Sequence, residues 1–123
     1  MAWKFFNLQP LGNLEEDCVT RAISLATGED YHTIQDKLFY VAKIFECEKL
    51  CVCCYKHLLD YVYNFQRIEA VQGMTINEFL LAFPHGIYLI RVNGHLTCAI
   101  DGEIIDTWDC TNKIVDIVWH VLE

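Results

Sequence analysis

Basic residues are scarce in this chain. Nine Lys and Arg stand against 17 Asp and Glu, a formal net charge of −8, and no Lys/Arg run is present. That balance excludes broad electrostatic binding to nucleic acid or to an anionic lipid surface. Proline is almost missing, with two residues, and no segment is rich in Pro, Gly or Ser. Linkers, repeats and low-complexity tracts are therefore not expected. No apolar run reaches the roughly 20 residues that span a bilayer. The opening stretch Met1-Ala-Trp-Lys-Phe-Phe-Asn7 lacks a basic segment leading into an apolar one and a cleavage site. These absences predict a cytoplasmic protein with no membrane partner. What remains is 123 residues, 54% hydrophobic and 21% charged. This composition argues against disorder and predicts one domain over residues 1–123 with a sizeable core.

Cysteine is the exception to this scarcity. There are seven, an odd number at irregular spacing and without an export signal, so a disulfide framework is not expected. Three roles remain: buried apolar thiols, metal ligands, or one activated thiol. Cys47, Cys51, Cys53, Cys54 and His57 form a dense cluster, and tetrahedral zinc takes four such ligands. However, structural zinc sites join two separated pairs, whereas positions 47, 51, 54 and 58 share one helical stripe ending in Leu58. A packed helix face explains that spacing without metal, so neither metal nor cofactor is expected.

The first half carries helical periodicity and the second half strand-forming runs. Trp3 to Phe6 predicts an edge strand, and Gln9-Pro-Leu-Gly-Asn13 a loop. A helix is expected from Cys18, with Cys18, Ala22, Leu25 and Ala26 on one stripe and Gly28 as its stop. A second is expected from Tyr31 to Phe45, with Ile34, Leu38, Val41 and Phe45 inward, and a third from about Cys54 to Tyr63. Thr75-Ile-Asn-Glu78 has the pattern of a capping box and predicts a short helix to Ala82. Strands are expected at Ile87–Val92, over the alternating Leu96–Ile100, over Glu103–Trp108, and from Ile114 to Val121. Helices followed by strands predict an α+β fold with an antiparallel sheet.

Asp101-Gly102 between two β-forming runs is a strong hairpin signal. With these as the turn residues, Ala99 faces Ile104, Cys98 faces Ile105, Thr97 faces Asp106, and His95 lies opposite Trp108. Alternation along the strands then places His95, Thr97, Asp106 and Trp108 on one surface, with His95 and Asp106 as diagonal neighbours. Asp109 falls on the other face and Asp101 in the turn, so Asp106 is the carboxylate that can orient the imidazole. An imidazole so held can take a proton from a nucleophile. Cys18 is the candidate, because free N–H groups and the dipole at a helix start favour a thiolate and can stabilise an oxyanion. Asn13 and Gln9 are the candidates for a second oxyanion donor. Glu15, Glu16 and Asp17 oppose the scheme, since nearby anions raise a thiol pKa; they also offer a rim suited to cationic groups. Other residues read as structural: Trp3 and Trp119 as packing, and His32, His57, His85 and His120 as surface or turn residues.

Three segments together carry a resemblance. Asp17-Cys-Val-Thr-Arg-Ala-Ile-Ser-Leu-Ala-Thr-Gly28, Gly94-His-Leu96 and Asp101-Gly-Glu-Ile-Ile-Asp-Thr-Trp-Asp109 resemble small papain-like cysteine peptidase domains of bacteria and phages. The likeness covers roughly Asn7 to Trp108 and is specific at the Cys helix and the hairpin. It implies a papain-like fold with the triad order Cys18, His95, Asp106. Asp106-Thr-Trp-Asp109 is similar to the Asn-Ser-Trp-Gly element of papain-type enzymes, which implies that Asp106 orients the His and Trp108 shields that bond. Gly12 stands where such enzymes carry the oxyanion Gln. The implied function is a thiol hydrolase acting on a peptide or another amide, in the host cytoplasm if the chain is phage-encoded. The alternative is a non-catalytic papain-fold module that binds a host protein, for which the acidic surface would suit a basic partner.

Overall fold

The computed structural model describes residues 3–7, 17–46, 52–69, 71 and 73–121. Expectations for Gln9 to Gly12, Asn13, Glu15, Glu16, Cys47 and Cys51 fall outside these residues. The elements in order are β1 (Trp3–Phe5), α1 (Cys18–Thr27), α2 (Tyr31–Phe45), α3 (Val52–His57), β2 (Gln66–Arg67), α4 (Ile76–Ala82), β3 (Ile87–Val92), β4 (His95–Ile100), β5 (Glu103–Asp106) and β6 (Ile117–Val121). The fold is thus α+β, and the described residues form four α-helices and a six-stranded sheet in the order β1-β5-β4-β3-β6-β2. One correction concerns strand sense: β1 runs parallel to β5, while the other neighbours are antiparallel. Tight turns force antiparallel pairing on consecutive strands, but a strand that joins from the distant start of the chain is free of that constraint.

Local chemistry accounts for the helices. Asp30 caps α2 by accepting the His32 N–H at 2.9 Å, and Thr75 and Glu78 close the expected capping box of α4. Gly28 ends α1 in the left-handed conformation at φ 76°. The inward face of α1 is Val19, Ala22, Ile23 and Ala26, with Cys18 and Leu25 only partly buried at its edge. On α2, Ile34, Leu38 and Val41 are buried as expected, but Phe45 is 51% exposed. The buried stripe ends one turn earlier, and the Phe45 ring stacks on His57 at 4.0 Å instead. The expected third helix begins earlier, at Val52, and continues as a π-helical turn over Leu58–Val62 that turns the adjacent Leu58 and Leu59 both inward.

The sheet is covered on both faces. Helices α1 to α3 pack on Leu89, Leu96, Cys98 and Trp119. Residues of α4 and the following segments pack on Tyr88, Ile90, Ala99, Ile104 and Val118. Strand β4 is consequently buried from His95 to Ala99, so the alternation of Leu96–Ile100 does not become alternating exposure. Trp119 is fully buried, and its indole N–H donates to Asp60 at 2.8 Å. The last strand starts at Ile117, not Ile114; Ile114 is exposed and bridges Thr75. Among the described residues, no helix is long and apolar enough to cross a membrane.

The β4–β5 hairpin sets the site's register. Cys98 pairs with Ile105, Ala99 with Ile104 and Ile100 with Glu103, as the Asp101-Gly102 turn requires. Both turn residues have positive φ, 48° and 82°. A Cβ on Gly102 would lie 3.2 Å from the Pro84 carbonyl oxygen. Gly102→Ala therefore meets both backbone strain and a close contact, and is expected to lower stability by about 1–2 kcal/mol. Urea denaturation measures this directly.

Candidate active site

Asp106 ends β5 and is 5% exposed, and His95 begins β4 and is 9% exposed. Their side chains meet as the register predicts. His95 Nε2 and Asp106 Oδ2 are 2.6 Å apart, and Thr97 Oγ1 donates to the same oxygen at 2.6 Å. The Thr107 N–H donates to Asp106 Oδ1 at 2.7 Å. Burial alone would push the Asp106 carboxyl up, but the bonds from His95 and Thr97 and the charge of His95 hold it below the usual range.

Cys18 comes from the opposite layer. It is the first residue of α1, and the α1–β4 packing brings it to the imidazole. Burial would raise its pKa, but hydrogen bonds from His95 and from the Leu96 N–H, with the charges of His95 and Arg21, bring the thiol below its ordinary value. Since Nε2 of His95 is taken by Asp106, Nδ1 is the nitrogen left for a thiol. Burial pushes the imidazole down, yet Asp106, Cys110 and Cys18 together raise it to about 11. Both shifts favour a thiolate beside an imidazolium.

The Asp17 side chain makes no capping bond at the mouth of α1. Its carboxylate instead accepts from Arg21 Nε at 2.6 Å and from the Tyr31 hydroxyl. First-turn N–H groups next to the thiol thus receive no cap from the Asp17 side chain. This also revises the expectation that Asp17 opposes a thiolate: it is buried and paired with a cation. Arg21 spans the site. Its Nη1 lies 3.5 Å from Asp106 Oδ1 and 3.2 Å from Thr107 Oγ1. One guanidinium thus lies between two buried carboxylates, beside the thiolate–imidazolium pair.

Trp108 follows the end of β5, 40% exposed, with its ring centroid 4.7 Å from that of His95. It leans over the imidazole as a partial cover. Strand β5 stops at Asp106, and Asp109 accepts from the Thr111 N–H and hydroxyl at 3.0 and 2.6 Å in the turn that follows. The supporting positions Gln9 and Asn13 lie outside the described residues.

A cleft of about 670 Å³ opens on Cys18 and His95, walled by Arg21, Tyr55, Arg91, Gly94, Trp108 and Lys113 among others. Cys98 does not line this cleft. It is fully buried, and burial pushes its thiol up to about 12. Within the Cys47–His57 cluster, Cys54 is buried with its thiol donating to the Leu38 carbonyl at 3.3 Å, while Cys53 is exposed. Among the described residues, His95, Asp106 and the buried Cys110 are a group whose ligand atoms lie within 4.8 Å of one another. The 2.6 Å between Nε2 and Oδ2 is a hydrogen-bond distance, shorter than the roughly 3.3 Å that separates two ligands on a tetrahedral zinc with bonds of about 2 Å. The pair is arranged to share a proton.

Sequence reasoning missed Asp17, Arg21 and Tyr31 as a supporting network, Cys110 beside the imidazole, and Tyr55, Arg91 and Lys113 on the cleft wall. Only the Asp17–Arg21 pair left a signal, its i, i+4 spacing on a helix. No family model matches the chain, and no curated protein or solved structure proves similar to it.

Proposed function

We propose that the chain is a papain-like thiol hydrolase that cleaves a peptide or another amide through an acyl-enzyme. The observation that carries this reading is a buried carboxylate–imidazole pair at 2.6 Å that faces a helix-start thiol at the floor of an open cleft.

In this mechanism the Cys18 thiolate attacks the acyl carbon, and its electron pair forms the C–S bond. Negative charge passes to the carbonyl oxygen, where the first-turn N–H groups at the mouth of α1 can receive it. The intermediate collapses, the C–N bond breaks, and the His95 imidazolium gives its proton to the departing amine. Neutral His95 then takes a proton from water, whose oxygen attacks the thioester. Breaking the C–S bond releases the acid and restores the thiolate–imidazolium pair. Asp106 keeps the imidazole in one orientation throughout, and Trp108 limits water at that bond.

A thiol-directed acyl probe tests the assignment. Cys18→Ala is expected to abolish labelling, whereas Cys98→Ala leaves it intact, because the Cys98 thiol is buried and protonated at neutral pH. Equal labelling of the two variants removes Cys18 as the nucleophile. A papain-fold module that only binds a partner predicts an ordinary Cys18 thiol with no dependence on His95.

A further inference from the structure

Charge is distributed unevenly around the cleft. The chain as a whole carries a formal net charge of −8. Yet the described residues that line the cleft include Arg21, Arg91, Lys113 and His95 and no Asp or Glu. These cations differ in how far they are neutralised. Arg21 is balanced by Asp17 and Asp106 behind the site. Arg91 pairs with Asp116 and hydrogen-bonds the Tyr55 hydroxyl, another cleft group. Lys113 is exposed and has no ion pair among the described residues.

The position of Lys113 is nevertheless set by the fold. Its N–H donates to the Cys110 carbonyl at 3.0 Å, and its own carbonyl accepts from the Ile76 N–H at 3.0 Å. Two backbone bonds thus anchor its Cα between the buried Cys110 and the start of α4. Lys113 lines the cleft with its backbone so held. A cation held at a concave, partly apolar site raises the local concentration of anions even on an acidic protein.

Building on the hydrolase reading, we propose that the cleft selects acyl substrates that carry a carboxylate near the scissile bond, recognised by Lys113 with Arg91 in support. The carboxylate belongs either to an acidic side chain or to a free chain terminus. Of the acidic run Glu15-Glu16-Asp17, read from sequence as a rim for cationic groups, Asp17 is turned inward onto Arg21, and Glu15 and Glu16 lie outside the described residues.

Two small alkylating agents test the proposal without a known substrate. Iodoacetate and iodoacetamide share a leaving group and nearly a size, but differ by one charge; in each, the Cys18 thiolate displaces iodide. Rates are read at Cys18 by peptide mass spectrometry at pH 6. The iodoacetate-to-iodoacetamide ratio is expected to exceed that of a free thiol. Lys113→Glu should lower the ratio about fivefold or more, and added salt should compress the difference. A ratio that Lys113→Glu leaves unchanged overturns the charge assignment. If Cys18 reacts no faster with either reagent than it does in the unfolded chain, the hydrolase reading itself falls, so the two failures are distinct. Peptide pairs then separate the sources. Preference for Glu over Gln beside the scissile bond indicates a side-chain carboxylate, and preference for a free over an amidated end indicates a terminus. Equal cleavage of all four peptides overturns the proposal.

Discussion

His95→Ala is expected to return Cys18 to the reactivity of an ordinary thiol and to lower turnover at least about a thousandfold. The reason is specific to this site. Burial pushes the Cys18 thiol up, and the His95 hydrogen bond is the leading interaction that brings it below its ordinary value. Without the imidazole, burial is opposed only by the Leu96 N–H bond and the Arg21 charge. A thiol of ordinary pKa is roughly 0.3% ionised at pH 6, so alkylation of Cys18 there should fall in the variant. The shape of the wild-type profile follows from the signs of the shifts. Cys18 lies low, so its thiolate is lost only as pH falls through that depressed value. His95 is raised to about 11, so its charge is lost only as pH rises towards that value. Reactivity should therefore hold a plateau across neutral pH that the variant lacks. Superimposable profiles for wild type and His95→Ala end the hydrolase reading. Asp106→Asn keeps an acceptor for Nε2 but removes its charge, and should fall between wild type and Asp106→Ala in turnover.

Arg21→Met is expected to cost about 3–5 kcal/mol of folding stability, the usual result of removing one partner from a buried charge cluster. In a domain of this size that corresponds to a fall in Tm of roughly 10–20 °C. Arg21 is buried between Asp17 and Asp106, and Met fills its volume without supplying charge. Two carboxylates and the Cys18 thiolate would then face one imidazolium. Adding Asp17→Asn to the variant should recover part of the loss, because it removes the carboxylate left without a cation. Thermal melts of the two single variants and the double variant measure this coupling. A loss below about 1 kcal/mol, as for an exposed ion pair, shows that Arg21 is solvated and does not tie the Cys18 helix to the hairpin.

Much of this architecture follows rules that operate within a few residues. The bounds Tyr31–Phe45 follow from an Asp30 cap and a 3.6-residue period. The α4 start follows from Thr75 and Glu78, each bonding the other's backbone N–H. Asp101-Gly102 sets the β4–β5 register, and alternation then decides that Asp106 faces His95, 11 positions away. Contacts between separate layers leave no such trace. Arg21 reaches Asp106 across 85 positions, and no periodicity records that pairing. Cys110 lies beyond the end of β5, where strand alternation no longer applies. Phe45 obeys the α2 period yet is exposed, because the neighbouring layer stops covering the helix before its last turn.

The amino-acid order by itself determined the helix starts, the hairpin and the meeting of imidazole with carboxylate, because each depends on hydrogen bonds and side-chain alternation over short separations. The tertiary structure alone decided how α1 lies across β4 and so brings the Cys18 sulfur to His95. It also decided that Asp17 turns inward to a guanidinium, and that a lysine with its backbone anchored beside Cys110 lines the cleft of an acidic protein. These depend on how separately formed layers bury their apolar faces against one another, and that packing places charges whose partners are far away in the chain.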